Sequence, residues 1–337
     1  EGPRLADLHV QGSSYGTVVP RVLGRMRIAG TVIWSTDLIE HSQRQSAGKG
    51  RGSTTSYSYS ASFAVALASR PIVDIGRIWA EGSLLRGAAG DFKSATGFRW
   101  YSGDPDQSVD PLIASAEGMA ATPAFRGIAY ALFEDMDLTP FGNRIPALSF
   151  EVIADTGSLT LADAMRDALG AAYVVQSGEA LVGAAAGGSS RREAIEPLRD
   201  WLALDRRGSR WRIGTDPDET PIPLGEAVRG RSGERPMSER SASASRPARI
   251  TVTCHDPARD FQAGVHEARV AGASGATARY EQPLALAAGT ARDIAARLAI
   301  EAGRSARTLH YPTGLAALAA EPGALIAIDG VVWRVAE

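Results

Sequence analysis

The sequence has a single cysteine, Cys254, among its 337 residues. One cysteine cannot form an internal disulfide, and it cannot build a metal site that needs several thiolates. The five histidines include no pair at the i, i+4 spacing that a helical zinc site requires. The sequence therefore predicts no disulfide framework, no metal site and no bound cofactor.

A strong charge of one sign is also lacking, because 36 basic residues stand against 38 acidic ones and the net charge is −2. Such a balance gives no broad basic field for holding nucleic acid. No apolar run approaches the about 20 residues that span a bilayer, and no signal peptide is predicted at the start. These absences predict a protein without a membrane span.

What the sequence has is 44% hydrophobic residues, 36 glycines and 18 prolines, which is typical of a turn-rich chain of short strands with several cores. The predicted fold class is α+β and β-rich, with two β-rich parts on either side of a mixed α/β part. The predicted segments are residues 1–154 (β-rich), 155–232 (mixed α/β), 233–247 (linker or arm) and 248–337 (β-rich).

The first segment contains a clear strand pattern next to a polar stretch. Apolar residues alternate over residues 57–67, which predicts a strand. Residues 41–55 carry almost no apolar side chain and predict a long hairpin loop, a kind of loop that is usually functional or disordered. We expect this loop to contact a neighbouring subunit through the following polar residues: Gln43, Arg44, Gln45, Lys49 and Arg51.

Helices and further strands follow from spacing and capping residues. Asp110 and Pro111 predict a short helix over residues 111–117. Apolar residues at helical spacing predict helices over 160–169, 190–202 and 290–304, the last with a stripe of Ala291, Ile294, Ala295, Leu298 and Ala302. Strands are predicted at 28–34, 72–75, 78–81, 147–153, 211–213 and 249–254. An Asp-Gly pair at 329–330 predicts a terminal hairpin.

Three short patterns resemble catalytic motifs but lack their context. Residues 12–16 fit the G-x-S-x-G nucleophile elbow, yet no helical pattern follows them. Ser46 and Lys49 fit S-x-x-K without the companion motifs of that enzyme class. His255 and Asp256 beside Cys254 are better explained as the end of a strand. The sequence therefore predicts a protein that is not an enzyme.

Several stretches of the chain, in order, resemble the tail-tip (baseplate) hub proteins of gene transfer agents and related long-tailed phages, the family also called megatron or host-specificity proteins. The resemblance is strongest before residue 155 and rests on residues 2–8, 11–16, 19–20, 24, 27–30, 33–34, 57–63, 71–72, 123–130, 133–135, 138, 141–146 and 150–152. A looser part of the resemblance rests on residues 192–198, 322–323 and 333–335.

The resemblance implies a homotrimer in which two tube-like β-sandwich or barrel domains per subunit form a ring around a channel, with a mixed α/β domain inserted between them. It implies a place at the distal tip of the tail, between the distal tail protein ring and the tip fibres, with tape-measure protein and DNA passing through. The iron–sulfur cluster of some hub proteins is not carried over, because Cys254 is the sole cysteine.

Two other functions remain open from the sequence. A receptor- or carbohydrate-binding module of a tail fibre would expose aromatic residues in a cleft. A cell-wall hydrolase would bring carboxylates, or a Ser and a His, together in one pocket.

Overall fold

The computed structural model describes residues 17–46, 53–94, 96–169, 179–187, 193, 204–207, 210–213, 220–227, 236–304, 307–314, 317, 320 and 322–336. The chain forms two compact units, each described here by itself. Unit 1 comprises residues 1–157 and 182–189, and unit 2 comprises residues 158–181 and 190–337. The division falls close to the predicted boundary at 154. Residues 190–337 belong to one unit. The sequence predicted three segments there: part of the mixed α/β segment, the linker and the last β-rich segment.

Most of the regular structure is strand, which confirms the predicted β-rich α+β class. The elements up to residue 186 are β1 (Arg21–Ala29), β2 (Thr31–Ser35), β3 (Ile39–Ser46), β4 (Ser53–Ala68), β5 (Asp74–Ala80), β6 (Ser83–Arg86), β7 (Gly97–Tyr101), α1 (Pro111–Glu117), β8 (Ala129–Asp137), β9 (Leu148–Ile153), β10 (Leu159–Thr160), α2 (Leu161–Leu169), β11 (Ala180–Leu181) and β12 (Gly183–Ala186).

The remaining elements belong to unit 2. They are β13 (Leu204–Arg207), β14 (Arg210–Ile213), β15 (Ile222–Pro223), β16 (Met237–Arg240), β17 (Pro247–Asp256), β18 (Gln262–Arg269), β19 (Gly275–Ala285), α3 (Ala288–Arg304), β20 (Arg307–His310), β21 (Leu325–Ile328) and β22 (Val331–Arg334). Short 3₁₀ turns lie at Thr139–Phe141, Ser243–Ser245 and Pro257–Arg259.

Two antiparallel sheets form unit 1. The first has the strand order β12-β1-β9-β5-β6, and the second has the order β2-β4-β8-β7 with β3 paired to β4. The sheets pack face to face through aromatic rings: Phe133 of the second sheet lies 6.2 Å from Phe150 of the first, and it stacks at 5.0 Å on Phe63 of its own sheet, measured between ring centroids. Gly30 carries the chain from β1 into β2, and a side chain there would collide with Val65 and Phe150. The glycine thus lets one continuous segment belong to both sheets.

The strand predicted at 57–67 is confirmed as part of β4, but both of its faces are buried over the last eight residues. One face packs between the sheets. The other is covered by α1 and nearby loops, where Ala64 joins Ile113, Tyr130 and Leu132 in one buried cluster. Helix α1 has the predicted bounds, with Pro111 in its first turn and Asp110 accepting hydrogen bonds from two of its backbone amides.

Other strand predictions in unit 1 hold with shifted bounds. The two short strands predicted around Gly76 are one strand, β5, whose pairing with β9 shifts between Ile75 and Ile78. Gly76 lies at this irregularity because a side chain there would come within 2.7 Å of the Glu151 Oε2 atom. The strand predicted at 147–153 is β9.

Unit 2 is built around three paired strands in the order β18-β17-β19. Strand β17 pairs antiparallel with β18 and parallel with β19, and α3 packs on β17 and β18. The predicted helix 290–304 is confirmed as α3, and four residues of its predicted apolar stripe are buried. Ala299 is buried in place of the predicted Ala302. The terminal hairpin is confirmed, with Asp329 and Gly330 both at positive φ as its two-residue turn requires.

The linker predicted at 233–247 is wrong for its described part. Residues 237–240 form β16, which pairs with β20, and Arg246 is buried with its guanidinium donating to the carbonyl oxygen of Gly272 at 2.6 Å. All four residues of β16 are exposed, so the strand needs no apolar face and its sequence has no strand pattern. The helix predicted at 160–169 is confirmed as α2, whereas of the helix predicted at 190–202 only residue 193 is described, and it is helical.

Candidate assembly surface

Strands β3 and β4 form a two-stranded extension of the second sheet (the ribbon, residues 39–46 and 53–59). The strands pair in continuous antiparallel register from Ile39–Ser60 to Ser46–Ser53. Ser60–Asp137 is the last pair between β4 and β8, so among the described residues the start of β4 pairs with β3 alone. Because isolated two-stranded ribbons are marginally stable in water, this geometry favours contact with another chain.

The base of the ribbon is fixed to unit 1 by side-chain and backbone hydrogen bonds. The Tyr59 hydroxyl donates to Glu40 Oε2 at 2.9 Å across the ribbon, and this bond, with the charge of Glu40, raises the pKa of Tyr59. His41 Nε2 and Ser60 Oγ lie 2.8 Å apart. The Leu138 amide donates to the Tyr59 carbonyl oxygen at 2.8 Å. The ribbon is therefore held in one direction relative to the core.

Apolar side chains are exposed where the ribbon leaves the core. Leu38, Ile39 and Tyr57 are 52%, 44% and 56% exposed. Large apolar side chains in water at one end of an open-edged ribbon are typical of a surface that another protein covers.

The loop predicted over residues 41–55 is wrong in part, because residues 41–46 and 53–55 are strand. Apolar alternation predicts a strand only where one face of the strand is buried, and a strand outside the core needs no apolar face. The Thr and Tyr residues of β4 favour an extended backbone without such alternation. The backbone of Gln43, Arg44 and Gln45 pairs with Ser56, Thr55 and Thr54 in turn. Lys49 and Arg51 lie outside the described residues, as do residues 47–52 as a whole.

A second surface feature, which sequence reasoning missed, lies on the first sheet of unit 1, on the face opposite the sandwich core (the arginine face). Its centre is Glu151 of β9, which is 1% exposed. Arg77 Nε donates to Glu151 Oε2 at 2.7 Å, and Arg25 forms an ion pair with Oε1 from the other side. Burial raises the pKa of Glu151, but the hydrogen bonds from Arg77 and Arg25 outweigh burial and hold that pKa below its ordinary value.

An aromatic ring holds the same arginines in place. The Arg27 guanidinium carbon lies 4.0 Å from the ring centroid of Trp79, and that of Arg77 lies 5.1 Å from it. Arg27 Nε also donates to Ser149 Oγ at 2.9 Å. The alternation of Arg25 and Arg27 with apolar residues in β1 could have predicted that the two arginines share one face of a strand. The sequence alone does not indicate that this face lies beside residues of β5 and β9.

The residues of the catalytic-like motifs form no catalytic arrangement among the described residues. Residues 12–16 lie outside that part of the chain, and Ser46 is the last residue of β3. Cys254 is fully buried, and burial raises the pKa of its thiol to about 11. His255 Nδ1 lies 2.9 Å from the Phe261 carbonyl oxygen, and Asp256 caps the 3₁₀ turn that follows β17. The described residues contain no group of three or more potential metal ligands, and none of the described helices is long and apolar enough to cross a membrane.

Comparison with known proteins gives one match by sequence and one by structure. Residues 190–337 match a phage tail family. Its description is "Putative phage tail protein". The whole chain superimposes on 85% of a chain in the solved structure of the virion of a native gene transfer agent particle, with a TM-score of 0.78 and 26% sequence identity. None of the curated proteins compared with the chain matches it.

The two matches agree with the broader part of the predicted resemblance: residues 190–337 are similar to a phage tail family, and the whole chain is similar to a protein of a gene transfer agent particle. The sequence match covers most of unit 2, and the structural match adds unit 1 with its ribbon and arginine face.

Proposed function

We propose that this protein is the trimeric baseplate hub at the distal tip of a phage-type tail, a structural protein and not an enzyme. In this role it joins the distal tail protein ring to the tip fibres and lines the channel for the tape-measure protein and DNA. The observation that carries the proposal is the structural match, which covers 100% of this chain. Because the match covers every part of the chain, it favours the same role for the two proteins in their particles over the sharing of a single domain.

The ribbon supports the subunit-contact part of the proposal. Among the described residues the ribbon has two strands and an exposed apolar base, and a neighbouring copy would supply a further strand and cover Leu38, Ile39 and Tyr57. The outer edges of a two-stranded ribbon are ready to pair with a further strand. We therefore assign the contact between subunits to the ribbon, which includes Gln43, Arg44 and Gln45, and we propose Lys49 and Arg51, from residues 47–52 between its strands, as further contact residues.

The position in the particle is tested by gold-labelled antibody against this chain, imaged on intact particles. The hub proposal expects label at the distal end of the tail only. Label along peripheral fibres would support a receptor-binding module instead, and protein found only free in the cell would contradict both virion functions.

The ribbon's role is tested by removing it without changing the register of the core. Ser42 pairs with Tyr57, so replacing residues 43–56 by Asn-Gly closes the shortened hairpin with a two-residue turn. We expect a folded monomer by light scattering where the intact chain is trimeric. A point variant, Tyr57→Ser, should weaken the trimer, whereas Met119→Ser, which changes a 71% exposed side chain elsewhere in unit 1, should not. A trimer that survives the ribbon replacement would contradict this assignment.

A further inference from the structure

Strand β18 forms an open edge of the sheet in unit 2. Among the described residues it pairs with β17 alone, and it comes first in the strand order. Every second residue of an edge strand directs its backbone N–H and C=O away from the neighbouring strand, where these groups can pair with a further strand. The eight residues Gln262–Arg269 therefore present a row of backbone donors and acceptors to an extended chain.

An apolar groove of about 480 Å³ lies beside this edge, between the end of β18 and α3. Ala268 lines it on the strand side, and Ala296 and Ile300, which are one helical turn apart, line it on the helix side. Ile300 is 57% exposed, and Val265 of β18 is 60% exposed. Large apolar side chains in water next to an open sheet edge are typical of a surface that another chain covers.

Two exposed arginines line the same groove. Arg269 is the last residue of β18, and Arg304 is the last residue of α3. Within the described part of the chain neither guanidinium forms an ion pair or a side-chain hydrogen bond. The acidic residues nearest to them in the sequence, Glu267 and Glu301, pair with other arginines. Because a guanidinium fork suits a carboxylate, the groove favours an acidic occupant.

The charge of the groove argues against the ribbon of a second copy as that occupant. Residues 39–59 contain one acidic residue, Glu40, and the three basic residues Arg44, Lys49 and Arg51. Glu40 already accepts the hydrogen bond from Tyr59. Like charges that face each other across an interface are unfavourable. Charge complementarity therefore favours an acidic segment of a different protein.

We propose that the edge of β18 and the groove beside it bind an extended acidic segment of another protein, which adds a strand to the sheet. Backbone hydrogen bonds to β18 supply affinity, and alternate apolar side chains of the segment enter the groove against α3. Its carboxylates bind Arg269 and Arg304. This inference goes beyond the proposed hub function and does not depend on it.

The test measures the binding of fluorescent peptides to the intact chain by anisotropy. One peptide has the eight-residue length of β18 and alternates valine with glutamate, and the other alternates valine with lysine. We expect only the first to bind. Arg269→Gln together with Arg304→Gln should weaken its binding about tenfold at low salt, and Ile300→Ser should weaken it severalfold. Arg279→Gln, which changes an exposed arginine on β19, is the matched control and should have no effect.

Amide hydrogen exchange distinguishes strand addition from a loose charge contact. The glutamate peptide should slow exchange in β18 and leave exchange in β22 unchanged. The inference is overturned if the glutamate peptide does not bind, if both peptides bind equally, or if binding leaves exchange in β18 unchanged. Protection of β18 that rises with protein concentration in the absence of peptide would also overturn it, by showing that a second copy occupies the edge.

The comparison of the two peptides uses the natural chain, so it holds even if a variant fails to fold, which circular dichroism would show. Failure of the hub proposal is recognised separately, by missing antibody label at the tail tip, because the peptide assay needs no particle.

Discussion

Arg99 and Asp110 form a two-point ion pair in which Arg99 Nε donates to Oδ2 at 2.6 Å and Nη2 donates to Oδ1 at 3.1 Å. The Asp110 side chain is fully buried. It also accepts hydrogen bonds from the Tyr101 hydroxyl and from the first amides of α1. Burial raises its pKa, but these partners, Arg99 first, outweigh burial and lower it. One carboxylate thus joins β7 to the helix that covers β4.

Replacing Asp110 by Asn should destabilise unit 1 by about 2–3 kcal/mol, because it removes the buried one of the two carboxylates that pair with the Arg99 guanidinium and leaves only the more exposed Glu134. The pKa of Asp110 is lower in the folded than in the unfolded chain. Its stabilisation is therefore complete above the ordinary value of 3.8 and is lost as the pH falls through the lowered folded value.

Urea unfolding at pH 7 and at pH 3 measures this effect, and the difference between the variant and the natural chain should shrink at the lower pH. Glu81→Gln, which breaks the exposed pair with Arg144, is the control and should cost less than about 1 kcal/mol. An equal effect of the two substitutions would contradict the role assigned to Asp110.

His266 should make unit 2 less stable in mild acid. Its Nε2 atom is buried and has no hydrogen-bond partner among the described residues. Burial lowers the pKa of His266, with Asp256 opposing this shift and Arg292 adding to it. The depressed pKa means that the folded chain binds the proton less readily. Stability is then full above the ordinary value of 6.5 and falls as the pH drops through the folded value.

Thermal unfolding between pH 7.5 and 5 should therefore show a decline that His266→Phe reduces. His310 is exposed on β20 and provides the matched control, because His310→Phe should leave the decline unchanged. If the natural chain and both variants lose stability equally as the pH falls, groups other than His266 cause the loss.

Thr160 and Asp163 cap α2 reciprocally. The Asp163 amide donates to Thr160 Oγ1 at 3.2 Å, and the Thr160 amide donates to Asp163 Oδ2 at 2.9 Å. Thr160→Ala should cost about 1 kcal/mol and Thr160→Ser much less, since serine keeps the acceptor. Amide hydrogen exchange in α2 measures this effect directly, and we expect faster exchange in Thr160→Ala than in Thr160→Ser. Equal exchange rates in the two variants would show that the Thr160 hydroxyl does not stabilise the helix.

Cys254 should be unreactive in the folded protein. Its side chain is fully buried and burial raises its pKa to about 11, so almost no thiolate is present near neutral pH. Mass spectrometry after maleimide treatment should find no adduct in buffer and one adduct in urea. Rapid labelling in buffer would show that the β17–α3 packing opens readily.

The sequence could predict those parts of the fold whose signals are local. Asp110 and Pro111 mark α1, Asp329 and Gly330 mark the last hairpin, and the apolar stripe marks α3, each within one or two residues. Ala299 replaces Ala302 in the stripe because only the sheet under the helix decides which side chains near its end are covered.

The surfaces could be predicted only in part. The polar stretch at 41–55 predicts a hairpin loop where β3 and β4 pair as the ribbon, because a polar sequence without apolar alternation gives no strand signal. The arginine face joins residues from β1, β5 and β9 that are far apart in sequence, such as Arg25 and Glu151. Only sheet pairing brings them together, and a single sequence contains no direct record of which strands pair.

Strand β4 has sixteen residues and extends for about 50 Å from the ribbon to the centre of the second sheet. No hinge loop separates its two halves, so a force applied to the ribbon passes directly into buried residues such as Phe63. The place most able to yield is the irregularity in pairing with β8 between Ala61 and Phe63. If the ribbon contacts a neighbouring subunit, as proposed, strain at that contact reaches the aromatic core along a single extended segment.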